Sequence, residues 1–106
     1  MALEFTDKTA KDLIETGDLV VIDFHAIWCS PCRMVGPMVE KMAEKYADKV
    51  IIGQLDIDKN EELASTYGVR NIPTILFFKN GELVDKQVGA TQETKLEEKI
   101  ENLINS

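Results

Sequence analysis

Residues 19–32, with the sequence LVVIDFHAIWCSPC, join a strand-like pattern to the start of a helix. The first part, Leu19–Phe24, is a nearly continuous apolar and β-branched run, which is typical of a central strand covered on both faces. Cys29 and Cys32 follow, and Pro31 between them suits the first turn of a helix, where no amide donor is required. Apolar residues then recur on one helical face: Val35, Met38, Val39, Met42 and Tyr46. The pattern predicts a strand–turn–helix unit with both cysteines at the start of the helix.

The residues around this unit predict further elements. Leu3–Phe5 suggests a short edge strand, and Thr6 offers a hydroxyl cap to a helix that Gly17 can end. Pro37 lies inside the cysteine-bearing helix and is expected to kink it. After that helix, Val50–Asp56 predicts a second buried strand.

A short helix is predicted next, with Asp58 and Glu61 as its cap and Gly68 as its stop. Its apolar residues are Leu63, Ala64 and Tyr67.

The second half of the chain predicts a hairpin and a last helix. Thr74–Lys79 and Glu82–Val88 are strand-like, and Asn80-Gly81 between them is a strong signal for a two-residue turn. A final amphipathic helix carries Leu96, Ile100, Leu103 and Ile104. The order βαβαβαββα predicts one α/β domain over residues 1–106, a mixed sheet with helices on both faces.

Composition and charge exclude several classes of function. The chain has 106 residues and a net charge of −7, which disfavours nucleic acid as a partner because phosphate backbones need clustered Lys and Arg. No apolar run approaches the roughly 18 residues of a membrane span, so no membrane association is expected. The first residues, MALEFT, lack a basic start followed by an apolar stretch, and no export signal is expected.

The two cysteines are the only ones in the chain, and their spacing points to chemistry. A bridge across so small a loop restrains little of the unfolded chain. At the start of a helix, Cys29 meets free amides and the positive end of the dipole, which favour its thiolate. Cys32 lies one turn inside and can attack a mixed disulfide on Cys29. We interpret the pair as a dithiol–disulfide exchange centre; half a zinc site or two inert core cysteines are the alternatives.

Several segments together resemble the thioredoxin family. They are residues 23–33 (DFHAIWCSPCR), Pro37, residues 67–74 (YGVRNIPT), residues 78–81 (FKNG) and residues 88–90 (VGA). They occur in the family's order and span essentially the whole chain. The resemblance implies the thioredoxin fold, a central mixed five-stranded sheet flanked by four helices.

The resemblance also implies an activity, its partners and its cofactors. The activity is reduction of disulfides in diverse client proteins, with recharging by a thioredoxin reductase. No glycine-rich dinucleotide motif occurs, so NADPH would belong to that reductase and no cofactor or metal would be bound here. Without an export signal, a cytoplasmic reductase is expected, and nothing in the sequence indicates a state other than a monomer.

Asp23 is a carboxylate within the apolar strand. Burial is costly there and raises the pKa of the group, although a strand-end residue turned to water is the alternative. The resemblance implies a buried acid and base that exchanges a proton with Cys32.

A substrate-binding surface is also implied by the resemblance. The matching proline in the family is cis and faces the cysteines, so Ile72 beside Pro73 is expected to pair with an extended client strand. A loop proline that merely starts a strand is the alternative. The implied apolar surface consists of Trp28, Ile57, Gly68, Ile72, Pro73, Val88, Gly89 and Ala90. The alternative for Trp28, Ile57 and Val88 is a position in the hydrophobic core. The alternative for the glycines is a structural role in turns or bulges.

Three residues that depart from the family pattern, together with Pro31, complete the predicted modulators of the site. Ser30 replaces the usual glycine; its hydroxyl either donates to the Cys29 thiolate, making the pair more oxidising, or points to solvent. Gln54 replaces a common lysine near the buried acid, so the pKa of Asp23 is expected to rise further. His25 replaces a common tryptophan. Its position before Cys29 suggests a catalytic Cys–His pair, although no third group orients the histidine.

Other functions stay open from the sequence alone. Ser30 leaves a thiol oxidase or isomerase possible. Cys29, Cys32 and His25 supply three potential metal ligands, fewer than a structural zinc site needs. A thioredoxin-like binding module that ignores its thiols is the third alternative.

Overall fold

Five strands and four helices follow one another in the predicted order in the computed structural model, which describes residues 2–106. The strands are β1 (Leu3–Phe5), β2 (Val20–His25), β3 (Ile51–Asp56), β4 (Thr74–Lys79) and β5 (Glu82–Val88). The helices are α1 (Asp7–Glu15), α2 (Ser30–Lys45), α3 (Glu62–Thr66) and α4 (Glu93–Asn105). The predicted strand–turn–helix unit around the cysteines is confirmed, with β2 and β3 each beginning one residue later than predicted.

The strands form one mixed sheet in the order β1-β3-β2-β4-β5. β3 pairs in parallel with both β1 and β2, whereas β4 is antiparallel to β2 and to β5. β2 is therefore central, and Asp23 on it lies between Gln54 of β3 and Ile75 of β4. This register places a polar neighbour beside the only acidic residue of the central strand.

The helices cover both faces of the sheet, because side chains of a strand alternate between them. Val20, Ile22 and Phe24 of β2 pack in a core with residues of α1 and α3. Val21 belongs to the opposite core, which α2 and α4 cover. Asp23 and His25 follow Val21 at a period of two and so point towards the α2 side.

The β4–β5 connection has the predicted turn chemistry. Asn80 and Gly81 adopt φ values of 55° and 82°. Positive φ at both central residues defines the type I′ turn that matches the twist of the flanking strands, and it favours an Asn-Gly pair. The hairpin prediction is confirmed.

The prediction that Asp58 and Glu61 cap α3 is wrong. Glu61 stands at the N-cap without a side-chain hydrogen bond. The carboxylate of Asp7, at the start of α1, instead accepts the amides of Glu62 and Leu63, each at 3.1 Å. A residue distant in sequence thus satisfies the free amides of the helix, because the fold brings the two helix starts together.

Candidate active site

Cys29 is the N-cap residue of α2, and Cys32 lies in its first turn. The two are joined in a disulfide, with their Cα atoms 5.3 Å apart. The amide of Cys32 points at Cys29 Sγ, at 3.3 Å. An amide in this position supports negative charge on the sulfur once the disulfide is reduced, because the first amides of a helix have no partner within the helix. The geometry is that of a reversible dithiol centre.

The sulfur of Cys29 lies at the margin of the surface. The residue is 4% exposed and packs with Ala26 and Cys32, and with the partly buried Ile57 and Ile72. Its exposure is lower than its neighbours suggest, since both residues flanking it in sequence are exposed. Its burial comes from the packing of these four residues around it.

Ile72 and Pro73 lie beside the disulfide. The Ile72–Pro73 peptide bond is cis, as the resemblance implies. Cys29 Sγ is 3.8 Å from the carbonyl oxygen of Ile72. The Pro73 carbonyl accepts the amide of Gly89 at 2.8 Å, which holds the end of β5 against the proline. The Ile72 backbone therefore lies at the sulfur, and the residues after β5 are held to the proline that follows it.

Trp28 is a surface residue and does not occupy the core. Its side chain is 65% exposed, and its indole N–H donates to Asp58 Oδ2 at 2.8 Å. Asp58, which sequence reasoning assigned to a helix cap, thus orients the aromatic ring beside Cys29.

The other predicted surface residues differ in their exposure. Val88, Gly68 and Ala90 are exposed, whereas Ile57, Ile72 and Gly89 are of intermediate burial. The substrate-binding role assigned to these residues stays a prediction.

Two exposed apolar side chains beside the cysteines were missed by sequence reasoning. Ile27 is 68% exposed and Met34 is 66% exposed. A signal was available for Met34, because it lies off the helical face formed by the apolar residues of α2. Together with Trp28 they make the rim around Cys29 strongly apolar.

Asp23 is fully buried, which excludes the alternative that it turns to water. Burial raises the pKa of its carboxyl group above the ordinary value. A hydrogen bond from Gln54 Nε2 to Oδ2, at 3.0 Å, and the positive charge of His25 both act against that rise. Gln54, which replaces the common lysine, thus partly offsets the effect of burial by donating to the carboxylate, and the pKa of Asp23 remains raised. Its other oxygen, Oδ1, has no hydrogen-bond partner within the described residues.

A cavity of about 370 Å³ lies behind Cys32 and opens to solvent. It is bounded by β2, β3 and the first turns of α2; its lining includes His25, Cys32, Arg33, Gly36, Glu40 and Gln54. His25 is half-buried, and its Nε2 atom is buried without a hydrogen-bond partner in residues 2–106. The cavity brings solvent near the inner cysteine, and Ile27 of the apolar rim lines it as well.

The remaining predicted modulators lie at the start of α2. Pro31 occupies the first turn of the helix, as predicted. Ser30 is exposed, and no hydrogen bond of its hydroxyl is found in the described part of the chain. Arg33 donates to the Ile27 carbonyl through Nε and Nη2, at 3.3 and 3.1 Å, and so ties the residues before Cys29 to the helix.

The described residues hold neither a cluster of metal ligands nor a membrane-spanning helix. Within residues 2–106, no three His, Cys, Asp or Glu side chains are grouped so as to hold a metal ion, so His25 does not join the cysteines in such a site. None of the described helices is long and apolar enough to cross a membrane.

The chain is similar in sequence to thioredoxins over nearly all of its length. A family model described as Thioredoxin matches residues 2–102. Thioredoxin from Rickettsia bellii is 45% identical over 105 residues, covering 98% of this chain and all of the relative. Thioredoxin from Chlorobaculum thiosulfatiphilum is 41% identical over 102 residues, covering 95% of this chain and 94% of the relative.

Solved structures agree with this similarity. A mutant thioredoxin from Halobacterium salinarum NRC-1 superposes with a TM-score of 0.87 at 38% identity, covering 97% of this chain and 90% of the other. With a Cys-x-x-Cys disulfide at the start of α2, the fold and the relatives lead to one conclusion: the chain belongs to the thioredoxin family and is a thiol–disulfide oxidoreductase of the protein-disulfide reductase type.

Proposed function

We propose that this chain reduces client disulfides with Cys29 as the nucleophile and Cys32 as the resolving thiol. The Cys29 thiolate attacks one sulfur of the client, forming a mixed disulfide and releasing the other client sulfur as a thiolate. Cys32 loses its proton and attacks Cys29 Sγ, which closes the Cys29–Cys32 disulfide and releases the second client thiolate. Two electrons pass to the client, and the structure corresponds to the oxidised product.

The amide of Cys32, 3.3 Å from Cys29 Sγ, is the observation that carries this assignment. It supports a thiolate on Cys29 and offers no comparable support to the sulfur of Cys32, which lies one turn deeper.

Asp23 is proposed as the base that accepts the Cys32 proton, and as the acid that returns it when the disulfide is reduced. A buried carboxyl with a raised pKa is suited to both roles, since its proton affinity lies closer to neutral pH than that of an exposed aspartate. The Gln54 hydrogen bond holds Oδ2 and leaves Oδ1 as the oxygen free to exchange a proton.

Clients are proposed to bind across the apolar rim and the Ile72 backbone. The amide of Ile72 has no hydrogen bond within the described residues, and its carbonyl lies next to Cys29 Sγ. An extended client segment can pair with this backbone without regard to its side chains, which supports action on diverse proteins. Apolar contact with Trp28, Ile27 and Met34 supplies further affinity.

Recharging is proposed to come from a thioredoxin reductase that draws its electrons from NADPH. We further propose one domain over residues 1–106, a monomer, a cytoplasmic location and no bound cofactor. The family match over residues 2–102 supports the single domain.

Reduction of insulin disulfides, coupled to a thioredoxin reductase and NADPH, tests this proposal. The chain should accelerate NADPH consumption, and the double variant Cys29→Ser, Cys32→Ser should not, because it has no thiol to exchange. Equal rates with the wild type and the double variant would overturn the proposed activity.

A further inference from the structure

Two buried polar atoms on the same strand lack hydrogen-bond partners in the described chain: Asp23 Oδ1 and His25 Nε2. The residues are two positions apart on β2, so their side chains leave the same face of the sheet, towards α2. An unpartnered buried polar atom is costly, and two on adjacent side chains indicate a functional arrangement. They are also the two titratable side chains of the central strand.

The cavity behind Cys32 reaches Asp23 only through the residues that line it. His25 and Cys32 line it directly, and so does Gln54, whose amide holds the Asp23 carboxylate. Asp23 itself is fully buried, whereas His25 is only half-buried. His25 is therefore the member of the pair that meets the solvent of the cavity.

The charges around His25 are consistent with an electrostatic interaction between His25 and Asp23. A positive charge on His25 lowers the pKa of Asp23, against the effect of burial. The other charged groups near the ring are Asp56, its register partner on β3, and Arg33 and Glu40 on the cavity wall of α2. Arg33 is engaged with the Ile27 carbonyl.

We propose that His25 is a proton-relay residue that acts through Asp23, carrying its proton between the buried carboxyl and the solvent of the cavity. The inference rests on the proposed function, in which Asp23 takes the proton of Cys32. It gives a role to a histidine that makes no contact with the client.

The relay conserves protons at each step. The Cys32 thiol gives its proton to the Asp23 carboxylate as Cys32 attacks Cys29. The carboxyl passes the proton to the neutral His25 ring, whose Nε2 has no other partner in the described chain, and the imidazolium releases it to the solvent of the cavity. The carboxylate is then restored for the next turnover, and the sequence reverses when the disulfide is reduced.

Two variants separate a relay from a structural role. His25→Gln keeps a polar group that can hydrogen-bond near the position of Nε2 but does not titrate, whereas His25→Phe keeps a ring of similar size. Glu40→Gln is the matched control, because it changes a charge on the cavity wall without removing the ring. Amide NMR spectra establish that each variant is folded; if His25→Phe is not, His25→Gln carries the test alone.

The first measurement follows the Asp23 carboxyl carbon by NMR across pH in the oxidised protein. In both His25 variants the carboxyl should titrate at higher pH than in the wild type, because the positive charge that lowers the pKa of Asp23 is gone. A titration of Asp23 that is unchanged in His25→Gln, or changed equally by Glu40→Gln, would overturn the inference. This measurement needs no client, so its failure is distinct from failure of the proposed activity.

The second measurement is the rate at which the Cys29 mixed disulfide resolves in a single turnover. Both His25 variants should slow resolution at pH 7 by about tenfold, below the range for direct general acid–base catalysis, since the relay acts through Asp23. Added imidazole should restore much of the rate. A wild-type rate and pH profile in His25→Gln would show that hydrogen bonding alone suffices, and would refute the relay.

Discussion

The two faces of strand β2 differ in what they contribute to the protein. Val20, Ile22 and Phe24 point into an apolar core covered by α1 and α3. On the other face, Val21 joins an apolar core, but Asp23 and His25 lie beneath the start of α2 with unpartnered atoms. The first face carries apolar side chains, whose burial stabilises the fold. The second face also carries a carboxyl and an imidazole, whose burial destabilises it.

This difference shows that one strand can supply core residues from one face and titratable groups from the other. Alternation of side chains allows a carboxyl to be buried on the α2 side of the strand while its sequence neighbours anchor the sheet. The buried carboxyl is tolerated because the apolar face supplies a surplus of stability. The predictions below test both halves of this comparison.

The largest expected effect is on the apolar face. Phe24→Ala should lower the free energy of unfolding by about 3–5 kcal/mol, because it removes a fully buried ring and leaves a cavity. Urea denaturation of the variant and of Val84→Ala, an exposed position on β5, measures the difference. The control should change by less than about 0.5 kcal/mol. A loss below 1 kcal/mol in Phe24→Ala would contradict the role assigned to this face.

On the polar face, Asp23→Asn should stabilise the protein at pH 7 while slowing disulfide reduction. Folding raises the pKa of Asp23, so the wild type carries no penalty below the ordinary carboxyl pKa. The penalty grows as pH rises from that value and is complete above the folded pKa. It amounts to about 1.4 kcal/mol for each unit of the rise.

Denaturation of both proteins between pH 4 and pH 8, beside single-turnover kinetics, checks this prediction. The two stability curves should converge at the acidic end. A variant no more stable than the wild type at pH 7 would mean that the carboxylate is not costly. Unchanged kinetics would remove Asp23 from the proton transfer.

A smaller effect is expected where α1 meets α3. Asp7→Ala should cost about 1 kcal/mol, because its carboxylate accepts two amides at the start of α3. Asp7→Asn should lose less, since the amide oxygen can still accept. Hydrogen exchange should show faster opening of α3 in Asp7→Ala. Exchange in α3 that stays at the wild-type rate would refute this cap.

The smallest effect is expected at Ser30. Ser30→Gly should shift the reduction potential by less than about 15 mV, half of the 30 mV that correspond to 1.4 kcal/mol. The Ser30 side chain is exposed, and any hydrogen bond it makes to a Cys29 thiolate replaces one from water. Equilibration of both proteins with a glutathione redox buffer measures the shift. A shift to a clearly lower potential in Ser30→Gly would favour the donor interpretation.

Much of this architecture is readable from local sequence. The apolar run before the cysteines, Pro31 and the Asn80-Gly81 turn each impose their structure within a few residues. Local sequence patterns failed to predict hydrogen bonds between residues that are distant in sequence. The amides at the start of α3 are taken by Asp7, and Asp23 is held by Gln54 through strand register. Neither contact is encoded by spacing along one element.

The sequence predicts the chemistry of the site better than it predicts the contacts around the two cysteines. The spacing of Cys29 and Cys32 at a helix start indicates thiol exchange from elementary electrostatics. The low exposure of Cys29 depends on how the loops and the helix meet, and no periodicity reports that, whereas the exposure of Met34 follows from its position off the apolar face of α2. The Asp58 contact with Trp28 likewise forms only in the folded chain.

The division of roles between the two cysteines is tested most directly by trapping the mixed disulfide. Cys32→Ser, mixed with a client disulfide, should accumulate a covalent adduct through Cys29, detectable by mass spectrometry and reversed by dithiothreitol. Cys29→Ser should form little adduct, because Cys32 is the poorer nucleophile. Accumulation in Cys29→Ser, with none in Cys32→Ser, would contradict the proposal that the sulfur at the tip of α2 attacks first.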